Sequence, residues 1–414
     1  MDKPSLAGVL QQHGPAYLRQ HALSTPQAKA WRAICACRTP ALGGQCMACS
    51  DCGHSHWQYH SCRNRHCPTC GARAKDTWLQ ARIAQVLDVP YTHLVFALPH
   101  EFNALYRSQT RAVIEALFAS VQQSLSEFAT QARWMGVSGG QAAFTLVLHT
   151  WSQDLGLHIH LHAIMACGVL GQDQDKGHWH TPLRKPDYLF PTRALSRVWR
   201  AKFMAQLRQS TKPAEPSPPP TAWFMSAQQR QALWRKDWVV YAKTPLGGAA
   251  QVLEYLSRYT HRTAIGNERI LRLQGDEVTL SARALGKAGE QGKKRRLRLP
   301  GPDFIGRFMQ HVLPSGLKRI RHYGLLANPN GKKLAQAKAA LHMPTPNPVA
   351  QENAQDFLAR VAKIDASLCP ACERGRLRMV QTCQGQKRLP DPLACRHALA
   401  NPLPQSRAPP AQGP

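Results

Sequence analysis

The chain has 414 residues, 43% of them hydrophobic, which is enough for two or three folded domains. Its 53 Lys and Arg residues against 24 Asp and Glu residues give a formal net charge of +29, so nucleic acid is the leading partner. The sequence shows neither a secretory signal nor an apolar run of membrane-spanning length. We therefore expect a cytosolic protein without a membrane partner.

Residues 1–85 are predicted to form a zinc-binding domain, with a short helical stretch followed by a cluster of cysteines. Cysteines in a reducing compartment favour metal binding over disulfides. Two CxxC pairs, separated by fourteen residues, predict one structural zinc site with four ligands: Cys49, Cys52, Cys67 and Cys70. Candidates for a second zinc are Cys37, Cys62 and His66. A further CxxC pair at 369–372 is a weaker sign of another zinc knuckle.

Residues 86–210 are predicted to form the first part of a catalytic domain. The stretches "YTHLVFALP" and "AAFTLVLHTW" are typical of strands, and the segment between them has a helical period. The next stretch, "LGLHIHLHAI", places His158, His160 and His162 on one face of a strand. Same-face neighbours lie roughly 6.6 Å apart, so at most two of them can bind one ion, and a third ligand must come from elsewhere. Such a strand could also be a plain polar face.

Residues 211–222 are rich in proline and are predicted to be a linker or insertion. Residues 223–330 are predicted to complete the catalytic domain. They contain Tyr255 and Tyr259, which lie four residues apart on a predicted helix and therefore share a face. An isolated pair of this kind is more often found in a core. Beside a divalent cation and arginines, however, a phenol becomes a good nucleophile for a phosphodiester.

Basic residues follow the tyrosines in several groups, and we expect them to bind DNA. The candidates are Arg258, Arg262, Lys293, Lys294, Arg295, Arg296, Lys318, Arg319 and Arg321. Residues 331–414 lose most of their periodicity and are predicted to be a mostly disordered tail.

Five ordered motifs resemble one known family. They are "CRTPALGGQ", "YHSCRNRHCPTC", "LHTWSQDLGLHIHLHAI", "YLSRYTHRTAI" and "HVLPSGLKRIRHYGLLAN". Together they resemble the IS-ninety-one family of insertion-sequence transposases, which belong to the HUH (histidine–hydrophobe–histidine) endonucleases. The resemblance implies an α+β fold, with a central antiparallel sheet flanked by helices and an N-terminal zinc-ribbon-like domain. It also implies nicking of single-stranded DNA at element ends and at the target, through a 5′-phosphotyrosine, in rolling-circle-like transposition.

The resemblance assigns roles to residues in two of these motifs. His160 and His162 match the histidine pair of the family, and Tyr255 and Tyr259 match its two tyrosines. The implied catalytic ion is Mg²⁺ or Mn²⁺, whereas imidazole ligands alone would favour zinc or a similar metal. Gln251, one turn before Tyr255, and His149, at the end of the preceding strand, are both candidates for the third ligand.

Two alternatives remain open at this point. The same chemistry is used by plasmid rolling-circle replication initiators and relaxases. A decayed transposase that only binds DNA through zinc would keep the basic charge without the catalysis. The sequence contains no helicase-type phosphate loop, so strand separation is expected to depend on a host helicase or on the DNA itself.

Overall fold

The computed structural model describes residues 3–173, 176–185, 189–210, 226–246, 251–252, 263–283, 292–344 and 365–386, and a few single residues between 352 and 363. The chain divides into two compact units, each built from separate stretches of sequence. The first contains residues 1–74, 265–312 and 350–414, and the second contains residues 75–264 and 313–349. The linear division predicted from sequence differs from this one, because strands far apart in the chain pair with each other.

The described residues form the following helices and strands, each numbered in chain order. The helices are α1 (Leu6–Leu18), α2 (Thr25–Ala36), α3 (Gly71–Ile83), α4 (Asn103–Ser108), α5 (Thr110–Ala129), α6 (Ala132–Met135), α7 (Thr192–Ser210), α8 (Ala227–Arg235), α9 (Gly301–Met309) and α10 (Gly331–Ala340). The strands are β1 (Gly43–Cys49), β2 (Ser55–Tyr59), β3 (Tyr91–Ala97), β4 (Ala143–Trp151), β5 (Leu157–Ala166), β6 (Val169–Asp173), β7 (Lys176–His180), β8 (Val239–Leu246), β9 (Ile270–Gln274), β10 (Glu277–Arg283), β11 (Lys294–Pro300), β12 (Ile320–Gly324) and β13 (Leu377–Gln384).

The first unit contains two antiparallel sheets of three strands, in the orders β13-β1-β2 and β11-β10-β9. Its first helices have regular starts, because Ser5 caps α1 and Ser24 forms a capping box with Gln27 on α2. One face of the second sheet is apolar, with Val278 and Leu280 buried. The opposite face is polar, as expected for an antiparallel sheet with one side in water.

The second unit contains a five-stranded antiparallel sheet in the order β12-β4-β5-β3-β8. One face packs against α5 and α7 in the main core, where the ring of Phe96 meets that of Trp199 edge-to-face at 5.2 Å. The opposite face, which carries the histidines, contributes Ile164 and Ala166 to a second apolar cluster with Val252. Strand β5 is therefore covered on both sides, and a β-hairpin of β6 and β7 follows it.

The α+β fold predicted from sequence, a central antiparallel sheet flanked by helices with a cysteine-rich N-terminal region, is confirmed. The strands predicted from "YTHLVFALP" and "AAFTLVLHTW" are β3 and β4, and the helical stretch between them forms α4, α5 and α6. The prediction of a mostly disordered tail is wrong for α10 and β13. Strand β13 is held by pairing with β1, a contact that local sequence cannot reveal. None of the described helices has the length and apolar character needed to cross a membrane.

Candidate functional site

Strands β4 and β5 place three histidines on one face of the central sheet. His149 stands directly opposite His160, and His162 follows two residues later on the same face. One ring nitrogen from each histidine lies within 4.8 Å of the others. All three side chains are buried, with exposed fractions of 3%, 8% and 7% for His149, His160 and His162. This histidine cluster has the geometry of a three-imidazole metal site.

Hydrogen bonds orient two of the three rings. The Nδ1 atom of His160 lies 2.9 Å from the backbone oxygen of His158. A carbonyl oxygen can only accept, so Nδ1 carries the proton and Nε2 keeps its lone pair for an ion. The Nδ1 atom of His162 lies 2.8 Å from Nε2 of His93, and the two rings stack with centroids 5.1 Å apart. The far nitrogen of His162 is thereby left for the cluster.

The positioning role of His93 was not predicted from sequence. His93 lies on β3 opposite Ile164, so it shares the face that carries the histidine cluster. The available signal was a histidine within the apolar strand "YTHLVFA", which is unusual unless a partner satisfies its ring nitrogens. The identity of that partner depends on strand register, which the local pattern does not contain.

The structure places the candidate ligands other than His160 and His162 in different environments. His149 joins the cluster, whereas Gln251 is exposed at the first residue of the helical segment 251–252. His158 lies outside the group, and burial, with a smaller contribution from the nearby His100, lowers the pKa of its imidazole. Strand β5 can supply at most two ligands to one ion, and the third member of the group comes from the neighbouring strand β4.

The charge of the histidine cluster determines what an ion held there could do. The group contains no carboxylate or thiolate. Three neutral imidazoles would leave the full charge of a divalent ion and keep coordination positions open, as in catalytic rather than structural sites. Imidazole nitrogen suits Fe²⁺ or Zn²⁺ better than Mg²⁺, which prefers oxygen.

Eight cysteines form two further groups. The first cysteine cluster consists of Cys37, Cys62, Cys67 and Cys70, and the second of Cys49, Cys52, Cys369 and Cys372. The Sγ atoms of Cys62 and Cys70 are 3.7 Å apart, as are those of Cys49 and Cys372. Four sulfurs at about 2.3 Å from a tetrahedral zinc would be about 3.8 Å from one another. Both clusters therefore fit a structural zinc ion.

This arrangement corrects the grouping expected from the CxxC spacing. The spacing predicted one site from Cys49, Cys52, Cys67 and Cys70, and a second from Cys37, Cys62 and His66. Because β13 pairs with β1, Cys369 and Cys372 reach the first CxxC pair and complete its cluster. Cys67 and Cys70 instead join Cys37 and Cys62, so His66 is not a member of the group.

The thiols of the first cysteine cluster are too close together to ionise independently. Hydrogen bonds from Cys37 and Cys62 lower the pKa of the Cys67 thiol. Hydrogen bonds to Cys37 and Cys67, with burial, raise the pKa of the Cys62 thiol. Stable deprotonation of all four thiols therefore requires a cation among them, which is the behaviour of a zinc site.

The basic residues expected to bind DNA occupy different environments. Lys294 and Arg296 alternate along β11 on the polar face of its sheet, where Arg298 continues the row opposite Thr279. We call these three residues the basic row. Alternation places Arg295 on the other face, opposite Ala282, although its side chain is exposed. Lys293 and Lys318 are also exposed, whereas Arg319 is half-buried.

Arg321 differs from the DNA-contact role expected of it. Its guanidinium forms a two-pronged ion pair with Glu115, at 2.7 and 2.8 Å, and lies 4.0 Å from the ring centroid of Phe118. The Arg321 guanidinium in turn holds the pKa of the Glu115 carboxyl below its usual range. This pair fixes β12 to α5, so we assign Arg321 a structural role. The remaining candidates, Tyr255, Tyr259, Arg258 and Arg262, lie outside the described residues.

Known proteins resemble the chain over most of its length. Residues 143–333 match a family described as a putative transposase, and residues 9–98 match a transposase zinc-binding domain. The chain is 36% identical over 398 residues to the putative transposase y4qJ of Sinorhizobium fredii, covering 92% of the chain and 96% of that relative. It is 25% identical over 401 residues to the transposase for insertion sequence element IS801 of Pseudomonas savastanoi pv. phaseolicola, covering 89% and 92% of the two proteins.

A weaker likeness exists to a solved structure, the conjugative relaxase TrwC in complex with oriT DNA. It covers 41% of this chain and 70% of that one at 16% identity, with a TM-score of 0.21.

Proposed function

Because the chain belongs to the IS-ninety-one family of insertion-sequence transposases, we propose that it nicks and rejoins single-stranded DNA through a covalent 5′-phosphotyrosine. The observation that carries this proposal is the histidine cluster, with ligating nitrogens of His149, His160 and His162 within 4.8 Å. A site of three neutral ligands is suited to a substrate that is itself an anion, such as a phosphodiester.

The proposed ligands of the catalytic ion are His149, His160 and His162. A bound Mg²⁺ or Mn²⁺ would neutralise charge on the scissile phosphate. His158 and His93 hold the rings of His160 and His162, respectively, in the orientation that this requires.

The proposed nucleophiles are Tyr255 and Tyr259. Their position in the sequence supports this role. Val252 lies three residues before Tyr255 and is buried in the apolar cluster that also contains Ile164 and Ala166. That cluster lies on the same face of the sheet as the histidine cluster. On the helix predicted from the sequence, positions three and seven residues after Val252 would share its face, and these positions are the two tyrosines.

The proposed cleavage conserves the number of bonds to phosphorus. A tyrosine oxygen attacks the phosphorus and releases its proton to solvent, while the bond from phosphorus to the 3′ oxygen breaks. The leaving oxygen takes up a proton and becomes a free 3′ hydroxyl, and the 5′ phosphate stays on the enzyme. Reversal by another 3′ hydroxyl rejoins the DNA without ATP, and a second tyrosine permits two successive transfers in one site.

The family favours transposition over plasmid replication as the use of this chemistry. The proposed substrates are the ends of the insertion element and its target DNA, with strand separation by a host helicase. The exposed basic row of Lys294, Arg296 and Arg298 supports binding to the phosphate backbone.

The experiment uses a labelled single strand from the end of the element, with Mn²⁺, and denaturing electrophoresis of the products. We expect a covalent protein–DNA product that disappears when Tyr255 and Tyr259 are both replaced by Phe. Tyr241→Phe is the matched control, because Tyr241 stands on the histidine face two strands from His162. Loss of the adduct in that control alone would move the nucleophile to Tyr241. An inactive wild-type protein would favour a role in DNA binding only.

A further inference from the structure

A cavity that is open to solvent continues the histidine face of the central sheet. Its floor includes Ile164, Thr145 and His322, which are paired side by side across β5, β4 and β12. Ile164 follows His162 by two residues on β5, and same-face neighbours lie roughly 6.6 Å apart. The cavity is therefore next to the histidine cluster, within the same unit of the chain.

The wall of the cavity is one face of α3 and the residues that follow it. Trp78, Arg82 and Gln85 are spaced four and three residues apart, so they project to the same side. The Trp78 ring stacks on that of His322, with centroids 6.1 Å apart and planes 19° from parallel. Burial lowers the pKa of His322 to about 4, so this ring is a neutral aromatic surface at neutral pH.

Two polar atoms in this wall have no hydrogen-bond partner among the described residues. They are Nε of Arg82, which is a donor, and Oε1 of Gln85, which is an acceptor. Both are buried, and both residues line the cavity. Buried polar groups are nearly always paired, so a donor and an acceptor that line one cavity indicate a ligand with complementary groups.

The composition of the walls limits the class of ligand. Aromatic and aliphatic side chains dominate, and among the described residues Arg82 is the one cationic side chain that lines the cavity at neutral pH. A phosphate would be poorly solvated here, and a hydrocarbon would leave the donor and acceptor unsatisfied. A nucleobase has a flat face for stacking and an edge with adjacent acceptor and donor groups, and it meets both requirements.

We propose that this cavity holds one base of the single-stranded DNA, stacked on Trp78, with its edge hydrogen-bonded to Arg82 and Gln85. The base belongs to a nucleotide close to the scissile phosphate, since the cavity adjoins the histidine cluster. The cavity would thereby select where the strand is cut. This inference rests on the proposed function, because it takes the bound polymer to be the DNA strand.

An abasic scan of the strand tests the stacking contact. Binding is measured without divalent metal, using oligonucleotides that lack one base at each position near the cut site. For the wild-type protein we expect one position within about two nucleotides of the cut to weaken binding roughly tenfold, in the range of one base stacked on an aromatic ring. Trp78→Ala should weaken binding of the intact strand by the same factor and remove the effect of that abasic position, while Trp78→Phe should retain it.

Trp234→Ala is the matched control, because Trp234 is an exposed tryptophan on α8 of the same unit. It should leave the abasic profile as in the wild type. A Trp78→Ala protein that keeps the wild-type profile, or that weakens every oligonucleotide equally, would overturn the proposal.

The edge contacts are tested with a base analogue of the same shape that lacks hydrogen-bonding groups. Placed at the responding position, it should weaken binding by wild-type protein severalfold and make no difference to the Arg82→Met, Gln85→Met double variant. Arg193→Met controls for loss of one positive charge, because Arg193 is exposed on α7. An analogue penalty that persists in the double variant would show that these two side chains do not read the base.

A measurement on unaltered protein guards against variants that fail to fold. A strand with 5-iodouracil at the responding position is irradiated, and the crosslinked peptide is identified by mass spectrometry. We expect a crosslink in α3 at Trp78, and crosslinks confined to other segments would overturn the assignment. Adduct formation is recorded in parallel. If the covalent adduct forms but no base contact is detected, the proposed cavity is wrong and the proposed function stands. If a base contact is detected but no adduct forms, the proposed function is wrong and the cavity assignment stands.

Discussion

The two cysteine clusters and the histidine cluster gather ligands in opposite ways. Each cysteine cluster presents four thiols, which is enough to fill the tetrahedral coordination of a zinc ion. With zinc bound, all four sulfurs would be thiolates. The histidine cluster presents three imidazole nitrogens and, in the part of the chain that the structure describes, no acidic group. A closed anionic site holds structure together, and an open neutral one leaves a cation free to act on phosphate. Ligand number and charge therefore distinguish the two structural sites from the proposed catalytic site.

The clusters also differ in how far apart their ligands are in sequence. The first cysteine cluster is drawn from residues 37–70, and the histidine cluster from two adjacent strands. The second cysteine cluster requires residues 369 and 372 to return to β1. Its formation thus depends on long-range pairing, which makes it the most informative one to disrupt.

The largest expected effect comes from replacing Cys369 and Cys372 by Ser. We expect the zinc content to fall from one ion per cysteine cluster to a single ion per chain, because two remaining thiols cannot hold zinc tightly. Strand β13 should also lose protection from proteolysis. Metal content is measured by mass spectrometry under native conditions. Cys383→Ser is the control, since Cys383 lies on the same strand outside both clusters, and a double variant that retained both ions would contradict the second site.

Replacing His160 by Ala should affect chemistry and leave zinc content unchanged. We expect the rate of adduct formation to fall on the order of 10²–10³-fold, the usual loss when one group stabilising transition-state charge is removed. Affinity for the DNA strand should stay within about twofold. His178→Ala is the control, because His178 is an exposed histidine on β7 of the same unit. Undiminished adduct formation by His160→Ala would show that the histidine cluster is not the catalytic site.

Acidification should destabilise the central sheet through His322. Burial, with the nearby charge of Arg82, lowers its pKa to about 4, against about 6.5 in an unfolded chain. Above pH 6.5 both states are neutral and stability is fully present. As the pH falls towards 4 the unfolded state takes up the proton first, so up to about 3 kcal/mol is lost.

Amide exchange of β4 and β12, compared at pH 7.5 and 5 in wild type and His322→Phe, measures this loss. These strands carry the two partners of the hydrogen bond between His322 and Thr145. The variant should show a smaller pH dependence, because it has no group to protonate at this position. Equal pH dependence in the two proteins would mean that His322 does not titrate as its burial indicates.

The smallest effect is expected from His93→Phe, which keeps an aromatic ring beside His162 and removes its hydrogen bond. Loss of an orienting partner weakens metal binding roughly 10–100-fold. The Mn²⁺ concentration for half-maximal adduct formation should rise accordingly, and the rate at saturating Mn²⁺ should approach that of the wild type. His178→Phe should match the wild type throughout. A lower rate at saturation with unchanged Mn²⁺ dependence would assign His93 to a different step.

Much of the fold could be predicted where the signal is local. Strand-forming residues identified β3 and β4, alternation identified β5, and the two-residue period of β5 required a third ligand from elsewhere. Among the predicted residues, His149 took that position because register sets it opposite His160. The partner of Arg321 could not be foreseen, because Glu115 lies on a helix far away in sequence and only packing brings the two together.

The sequence by itself determined the chemistry available to this protein: cysteines in CxxC pairs, histidines in alternation, tyrosines at a helical spacing and a large excess of positive charge. The tertiary structure alone decided which of these residues meet. Pairing of β1 with β13 divided the cysteines into their two clusters, and pairing of β4 with β5 selected His149. The physical reason is that ligand type is a property of each side chain, whereas a metal site requires several side chains within a few ångströms, and strand register sets those distances.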